Sequence, residues 1–338
     1  MDSSLNMQNR NGLPVATVLI TAFNRKNYII QSVESVLHQT LDRNEYEIIV
    51  SKNFEDNEID KYLEINGCIN ILDKGKGIGN RLSNLLPIAR SNIIVFLEDD
   101  DLFYETKLEE IIRFFKDNEV SYVNNYYLKI NDDGELIPYK EQRHNTIILN
   151  NSIQMSKNLI TLKEQGEYFG MSNLSIRKEK FLPFVETLRR ITVSPDLFFF
   201  LFSSVISGKS VFFSRRLTLY RSHDSLSNIK GTNEQFFKRR NFFWSLIKED
   251  LNVYSSIAEL NTNIEIKKLI DIIALESKIH LFLTSDQIKE RITLEDLWNC
   301  LKIFVRRKKL FYIKLLTIGT LGYVHKNTAK IIYYIFLK

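Results

Sequence analysis

The chain has 338 residues, 44% hydrophobic and 26% charged, with 12 glycines and 5 prolines. Those values suit two folded domains, or one with an appendage, and exclude collagen-like, linker-like or largely disordered material. Two cysteines, Cys68 and Cys300, and five scattered histidines exclude a disulfide framework, a thiolate zinc site and most zinc enzymes, and point to a reducing, cytosolic setting. The net charge of +5 is uneven: residues 297–338 hold nine Lys or Arg and no acid, leaving 37 basic and 41 acidic side chains before them.

Residues 1–12 are polar, lack the apolar segment of a secretory signal and are expected to be a disordered tail. No stretch approaches the ~18–20 apolar residues of a membrane span. From residue 15 to 101, VATVLI (15–20), YEIIV (46–50), INIL (69–72) and NIIVFL (92–97) read as buried strands. Ile29, Val33 and Val36 share one helix face, as do Leu82, Leu85, Leu86 and Ala89, and then Leu108, Ile111, Ile112 and Phe115. Strand–helix alternation predicts an α/β fold with a Rossmann-like, mostly parallel sheet flanked by helices and ligands at the strands' carboxyl ends. The residues to inspect therefore follow Ile20, Val50, Leu72 and Leu97.

Further on, SYVNNYYLKI, MSNLSI and SVFFS read as short strands. Ser194-Pro195-Asp196 opens the apolar run LFFFLFSSVIS with an N-cap residue, a proline at N1 and an acid in the first turn. Beyond residue 231 the pattern is helical throughout. FVRRKKLFYIKLL and AKIIYYIFLK mix cations with apolar residues, which suits a helix in an anionic membrane interface better than a nucleic-acid arm. Core helices with basic outer faces are an equal alternative.

The strongest chemical signal is Glu98-Asp99-Asp100-Asp101, directly after NIIVFL. Four successive acids at the end of a buried strand repel one another unless a cation neutralises them. Their oxygens suit Mg²⁺ or Mn²⁺ bridging to nucleotide phosphates; a solvated turn capping a helix near Tyr104 is the alternative. Gly75-Lys-Gly-Ile-Gly also lies between a strand and a helix, but it is G-x-G-x-G on the third strand, a weak dinucleotide signal. Lys74, Lys76 or Arg81 could meet a phosphate there, and a plain turn is nearly as plausible.

Residues 13–228 resemble a family 2 glycosyltransferase of the GT-A fold. The resemblance rests on VATVLITAFNRKNYIIQSVESVLHQT, FLEDDDLF with Glu98, Asp99 and Asp100 in the three places of a DXD motif, FGMSNLSIRKEKF, SPDLFFFLFSSVISGK and LTLYRSHDSLSN. It implies a nucleotide-sugar half (13–101), an acceptor half (102–228) and a helical C-terminal region (229–338). It implies a donor pocket of Thr21, Ala22, Phe23, Asn24, Arg25, Ser51, Asn53, Arg81, Glu98 and Asp99. Asp100, helped by Asp101 and His223, would hold the divalent cation (Mn²⁺ or Mg²⁺). Arg221 and His223 would close over the diphosphate, and Asp196 would be the general base. The implied reaction is inverting, metal-dependent transfer from a nucleoside diphosphate sugar, UDP-sugar favoured, to a hydroxyl of a glycan or lipid-linked glycan.

Two features depart from the family pattern. The second strand continues into Ser51-Lys52-Asn53 where an acid would pair with the base, and the metal motif opens with Glu98 rather than Asp. The alternatives are a nucleotidyltransferase, which usually carries a glycine-rich basic loop where TAFNRKN stands, and a non-catalytic membrane- or partner-binding scaffold, against which the intact acids at 98–101 and Asp196 argue. The expected setting is cytoplasmic, peripheral on the membrane through 297–338, without nucleic acid; a homodimer through the apolar C-terminal helices is the other use of that surface.

Overall fold

The computed structural model describes residues 12–138, 145–167, 169–224, 229, 232–260, 264–285 and 291–337. Residues 1–11 of the expected N-terminal tail lie outside them. The chain divides into two compact units, Met1–Ser222 and His223–Lys338. The boundary expected at 228/229 adjoins residues 225–228, which also lie outside the described residues.

The first unit opens with β1 (Ala16–Ala22), α1 (Ile29–Leu37), β2 (Tyr46–Lys52), α2 (Asn57–Ile65), β3 (Ile69–Leu72), α3 (Ile78–Ile88) and β4 (Ile93–Glu98). It continues through β5 (Leu102–Phe103), α4 (Lys107–Phe115), β6 (Val120–Ile130), β7 (Ile147–Leu149) and α5 (Ser152–Gln165). β8 (Leu174–Arg177), α6 (Lys178–Phe181), α7 (Val185–Leu188), α8 (Pro195–Phe202) and β9 (Lys209–Arg221) complete it. The sheet order is β3-β2-β1-β4-β8-β6-β9-β5, with β7 on β9.

The first four strands are parallel. Every residue of β1 and β2 is buried, so these strands read as continuous apolar runs rather than alternating ones. β8 then joins antiparallel between β4 and β6. On one face, Ile29, Val33 and Val36 of α1 and Leu108, Ile111 and Phe115 of α4 share a core with Val18, Ile20, Ile48, Val50 and Val95.

Four sequence expectations are adjusted. INIL forms β3, but at the sheet's edge it is mostly exposed rather than buried. Of MSNLSI, residues 171–173 form a 3₁₀ turn before β8. SVFFS is the start of the longer β9, which stays paired with β6 through register shifts that absorb its irregular middle. α4 starts at Lys107 rather than near Tyr104, because Leu102 and Phe103 pair with β9 first.

The second unit is helical: α9 (Asn233–Leu260), α10 (Ile264–Thr284), α11 (Leu294–Arg307), α12 (Leu310–Val324) and α13 (Lys326–Leu337). Its core gathers Phe236, Ile279, Leu283, Cys300, Leu315, Ile318 and Tyr333. Among the described residues no helix is long and apolar enough to cross a membrane.

Candidate active site

Strand register sets the floor of the site. Thr21 at the end of β1 lies opposite Ser51 of β2 on one side and Glu98 of β4 on the other. Beyond β1 the chain turns through Phe23-Asn24-Arg25, with Asn24 at φ 56°, a left-handed geometry that asparagine tolerates. The Asn24 amide donates to Asn53 Oδ1 at 2.8 Å, and Asn53 Nδ2 donates to Asn24 Oδ1 at 2.8 Å. That reciprocal pair ties the loops after β1 and β2 together. Between them, the buried Ser51 hydroxyl has no hydrogen-bond partner among the described residues. Lys52 is buried and pairs with Asp60 at 2.6 Å.

Phe23 is 51% exposed, with the Arg81 guanidinium 4.4 Å from its ring centre. Arg81 is buried, donates from Nη1 to the Ala22 carbonyl at 3.2 Å and has no partner at Nε among the described residues. Burial pulls its pKa below the usual arginine value, against the opposing pull of Asp73 and Asp99.

The acidic turn is held from several sides. Arg25 reaches Asp99 Oδ1 at 2.9 Å and Asp100 Oδ2 at 2.5 Å. The other Asp99 oxygen, Oδ2, is buried without a hydrogen-bond partner among the described residues. The Ser32 hydroxyl is shared between the carbonyls of Asp99 and Asp101, 2.8 Å from each. Asp101 is buried, and its Oδ1 accepts from the Arg221 amide at 2.9 Å. The Arg221 guanidinium donates to the Asp100 carbonyl at 2.8 Å, the Asp132 carbonyl at 2.6 Å and Gln31 Oε1 at 2.7 Å. Beneath lies the buried Lys107, bonded to the Ser172 carbonyl and to Thr218 Oγ1.

The crowding shows in the titration of these groups. Burial, then Asp100 and Asp101, then Asp196, push the Glu98 carboxyl well above the usual range. Asp99 is raised to about 7 by burial and Asp100, against the opposing pull of Arg25. Asp101 is raised to about 7 by burial and Asp100. Burial pushes Lys107 well below the ordinary lysine value. The turn stores unfavourable negative charge that a further cation or a proton would relieve.

Two amides of the glycine run are bonded within the fold. The Ile78 amide donates to the Thr192 carbonyl at 3.2 Å and the Gly79 amide to the Ile191 carbonyl at 3.1 Å. Lys74 and Lys76 are exposed beside it. The run is a docking turn for the segment that leads into Asp196.

Asp196 stands in the first turn of α8. Its Oδ2 accepts from the Gly170 amide at 3.2 Å and its Oδ1 from the Leu197 amide at 2.9 Å. Ser194 occupies the N-cap place without a capping side-chain bond, so the helix start rests on Pro195 at N1 and on burial of residues 197–202. An almost wholly buried aromatic helix makes a rigid mount for the one acid at its rim.

The structure therefore brings Thr21, Ser51, Asn53, Arg81 and the four acids to the same strand ends, and Asp196 lies close enough for its charge to act on Glu98. Asp101 and Arg221 brace the turn from below. His223 belongs to the second unit, where its Nδ1 lies 3.0 Å from the Asp224 carbonyl. Among the described residues no group of three or more His, Cys, Asp or Glu is arranged to hold a metal. Sequence reasoning missed Ser32, Lys107, Ser172 and Thr218, since a lone Ser, Thr or Lys carries no spacing signal. Gln39, in the SVLHQT run, caps α4 by accepting from the Leu108 amide at 2.9 Å.

The parallel strands β3-β2-β1-β4 carry this acid turn at their carboxyl ends, where open α/β sheets take their ligands. Residues 17–181, just under half of the chain, match Glycosyl transferase family 2. It is 34% identical over 124 residues to an uncharacterized glycosyltransferase of Rickettsia bellii (strain RML369-C), a match covering 36% of this chain and 18% of that one. It is 31% identical over 121 residues to the Escherichia coli UDP-Glc:alpha-D-GlcNAc-diphosphoundecaprenol beta-1,3-glucosyltransferase WfaP, covering 35% of this chain and 48% of that protein. The fold is similar to that of S. aureus TarS 1-349 in complex with UDP, with a TM-score of 0.52 at 10% identity over 94% of this chain and 91% of that one. The shared GT-A fold is thereby established, while the sequence match spans less than a fifth of the Rickettsia relative.

Proposed function

We propose that the chain is an inverting glycosyltransferase that moves a sugar from a nucleoside diphosphate sugar to a hydroxyl of a glycan or lipid-linked glycan. The observation that carries this reading is the turn at residues 170–173, whose Gly170 amide donates to Asp196 Oδ2 at 3.2 Å and whose Ser172 hydroxyl accepts from the Glu98 amide at 3.0 Å, so that one turn joins Asp196 to the strand ends where Thr21 and Ser51 also stand. In this reading Thr21, Ala22, Phe23, Asn53 and the partnerless Ser51 hydroxyl receive the base and ribose, and Glu98 faces the ribose. A UDP-sugar is the favoured donor. The UDP bound by TarS and the UDP-Glc and lipid diphosphate in the name of the E. coli relative support that choice.

The donor set suits a divalent cation. Asp100 and the partnerless Oδ2 of Asp99 are hard oxygen donors, and Mg²⁺ and Mn²⁺ commonly take one or two carboxylates plus phosphate oxygens. Bound there, the cation would offset charge on the departing diphosphate. Asp101 is not one of its holders in this reading, because its carboxylate braces the Arg221 amide.

Asp196 takes the proton of the acceptor hydroxyl as that oxygen bonds to the anomeric carbon from the face opposite the diphosphate. The carbon–oxygen bond to the diphosphate breaks, and the nucleoside diphosphate leaves with the electron pair. The Gly170 and Leu197 amides hold the carboxylate in place for this step. The basic second unit keeps the enzyme at a cytoplasmic membrane face, beside a lipid-linked acceptor.

The test is release of nucleoside diphosphate from candidate UDP-sugars by the purified chain with glycan or lipid-linked acceptors. Asp196→Asn should bind UDP as the parent does and lose transfer. Full turnover by that variant would overturn the assignment of the base.

A further inference from the structure

Within the second unit, α11 ends at Arg307 and α12 begins at Leu310, and these two helices pack on one another. The corner between them is closed by Lys308 at φ 52°, whose amide donates to the Phe304 carbonyl at 2.7 Å. That left-handed position usually goes to glycine or asparagine. A lysine there carries a conformational cost that the fold alone does not explain.

The corner is exposed and mixed in character. Leu310 is 68% exposed, Phe311 46% and Ile313 37%, and Val305 on the last turn of α11 is 60% exposed. Lys308, Lys309 and Lys314 are exposed among them, and no acidic residue follows Asp296 in the chain. The other basic–apolar run, in α13, is turned the other way. Ala329 and Tyr333 are buried in the unit's core, Lys326 donates to the Ser285 carbonyl at 2.7 Å, and Lys330 lies 5.6 Å from the Phe237 ring centre. Cations of α13 face the protein; those of the corner face outward.

We propose that the α11–α12 corner is the membrane contact: Leu310, Phe311 and Ile313 enter the headgroup–acyl boundary of an anionic bilayer while Lys308, Lys309 and Lys314 meet lipid phosphates. An apolar tip ringed by cations matches that interface, whereas an acidic protein partner would leave the apolar tip in water. At about 1.5 Å per residue, α12 reaches roughly 22 Å, short of the ~30 Å hydrocarbon core, so the contact lies on the surface and does not span. This deepens the membrane part of the proposed function and is independent of its chemistry.

The test is co-sedimentation of the full chain with vesicles of phosphatidylcholine alone or mixed with phosphatidylglycerol. Binding is expected only to the anionic vesicles and should weaken with salt. Lys308→Ser/Lys309→Ser/Lys314→Ser should weaken it on the order of 100-fold, and Leu310→Ser/Phe311→Ser should weaken it at every salt concentration. Circular dichroism and the UDP-induced thermal shift serve as controls for folding and for the nucleotide site. A chain that keeps its UDP shift but ignores anionic vesicles overturns the corner proposal and leaves the transfer reading standing. A chain that binds vesicles without a UDP shift does the reverse. Equal binding by the triple lysine variant, or a dimer that Leu310→Ser/Phe311→Ser splits into monomers, also overturns it.

Discussion

Gly79 and Leu188 approach so closely that a Cβ on Gly79 would stand 2.1 Å from the Leu188 carbonyl oxygen. The same glycine donates its amide to Ile191, so the start of α3 and the segment before Asp196 are clamped backbone to backbone. Gly79→Ala must push that segment away. The expected cost is about 1–3 kcal/mol of stability, with loss of transfer because Asp196 shifts. Unchanged melting in a calorimeter would contradict the clamp.

Much of this domain was legible in the sequence. β1, β2 and β4 follow their apolar runs because both faces are buried, whereas INIL forms β3 at the sheet's edge and stays mostly exposed; the acid turn was found because its charge contradicts the burial before it. α2 was missed because it buries only Ile59 and Leu63 among charged neighbours. α5 offered more: an Asn151 cap, Met155, Leu159 and Leu162 on one face, and Gly166 at its end. The braces of the acid turn could not be read, since Arg25 and Arg221 meet it only through tertiary approach. The glycine run, a weak signal in the sequence, has its Ile78 and Gly79 amides bonded to the segment before Asp196.

The acid turn sets a pH dependence of definite sign. Asp99 and Asp101 titrate near 7 in the folded chain and Glu98 is raised too, whereas unfolded carboxyls ionise near ~4. The folded state therefore holds more protons between those values. Its stability is greatest below the lower value and falls as pH rises through about 7. In EDTA and without nucleotide, the melting temperature should rise as pH is lowered from about 8 to about 5.5. Asp99→Asn should flatten that slope. A slope of opposite sign would contradict the buried charge described for the turn.

Arg25 is the cation lying directly on Asp99 and Asp100. Arg25→Met leaves both carboxylates without it. Because the Arg25 side chain is 31% exposed, solvent screens part of the loss. The expected destabilisation is about 1 kcal/mol near neutral pH, smaller at pH values where Asp99 is protonated. Chemical denaturation at two pH values measures it, and equal losses at both would count against the pairing.

Glu47 offers a control at the opposite ends of the strands. Its carboxylate accepts from Thr17 Oγ1 at 2.5 Å and from the Arg90 amide and Nε at 2.6 and 2.7 Å. Burial raises its pKa, but the Thr17 and Arg90 bonds outweigh it and the net shift is downward. This stability is present above the unfolded value and lost as pH falls through the lower folded one. Glu47→Ala should cost about 2–4 kcal/mol and leave UDP affinity unchanged in calorimetric titration. A weakened affinity would mean the strand ends are coupled.

The central claim is that Asp100 serves a nucleotide diphosphate at the carboxyl ends of β1, β2 and β4. The most direct measurement is thermal stability of the parent chain and of Asp100→Ala with UDP, in Mn²⁺ and in EDTA. At about 100 times its dissociation constant UDP should add about 2.7 kcal/mol to the parent, only with metal, and nothing to the variant. No gain in the parent with UDP and Mn²⁺, or an equal gain in Asp100→Ala, would contradict it.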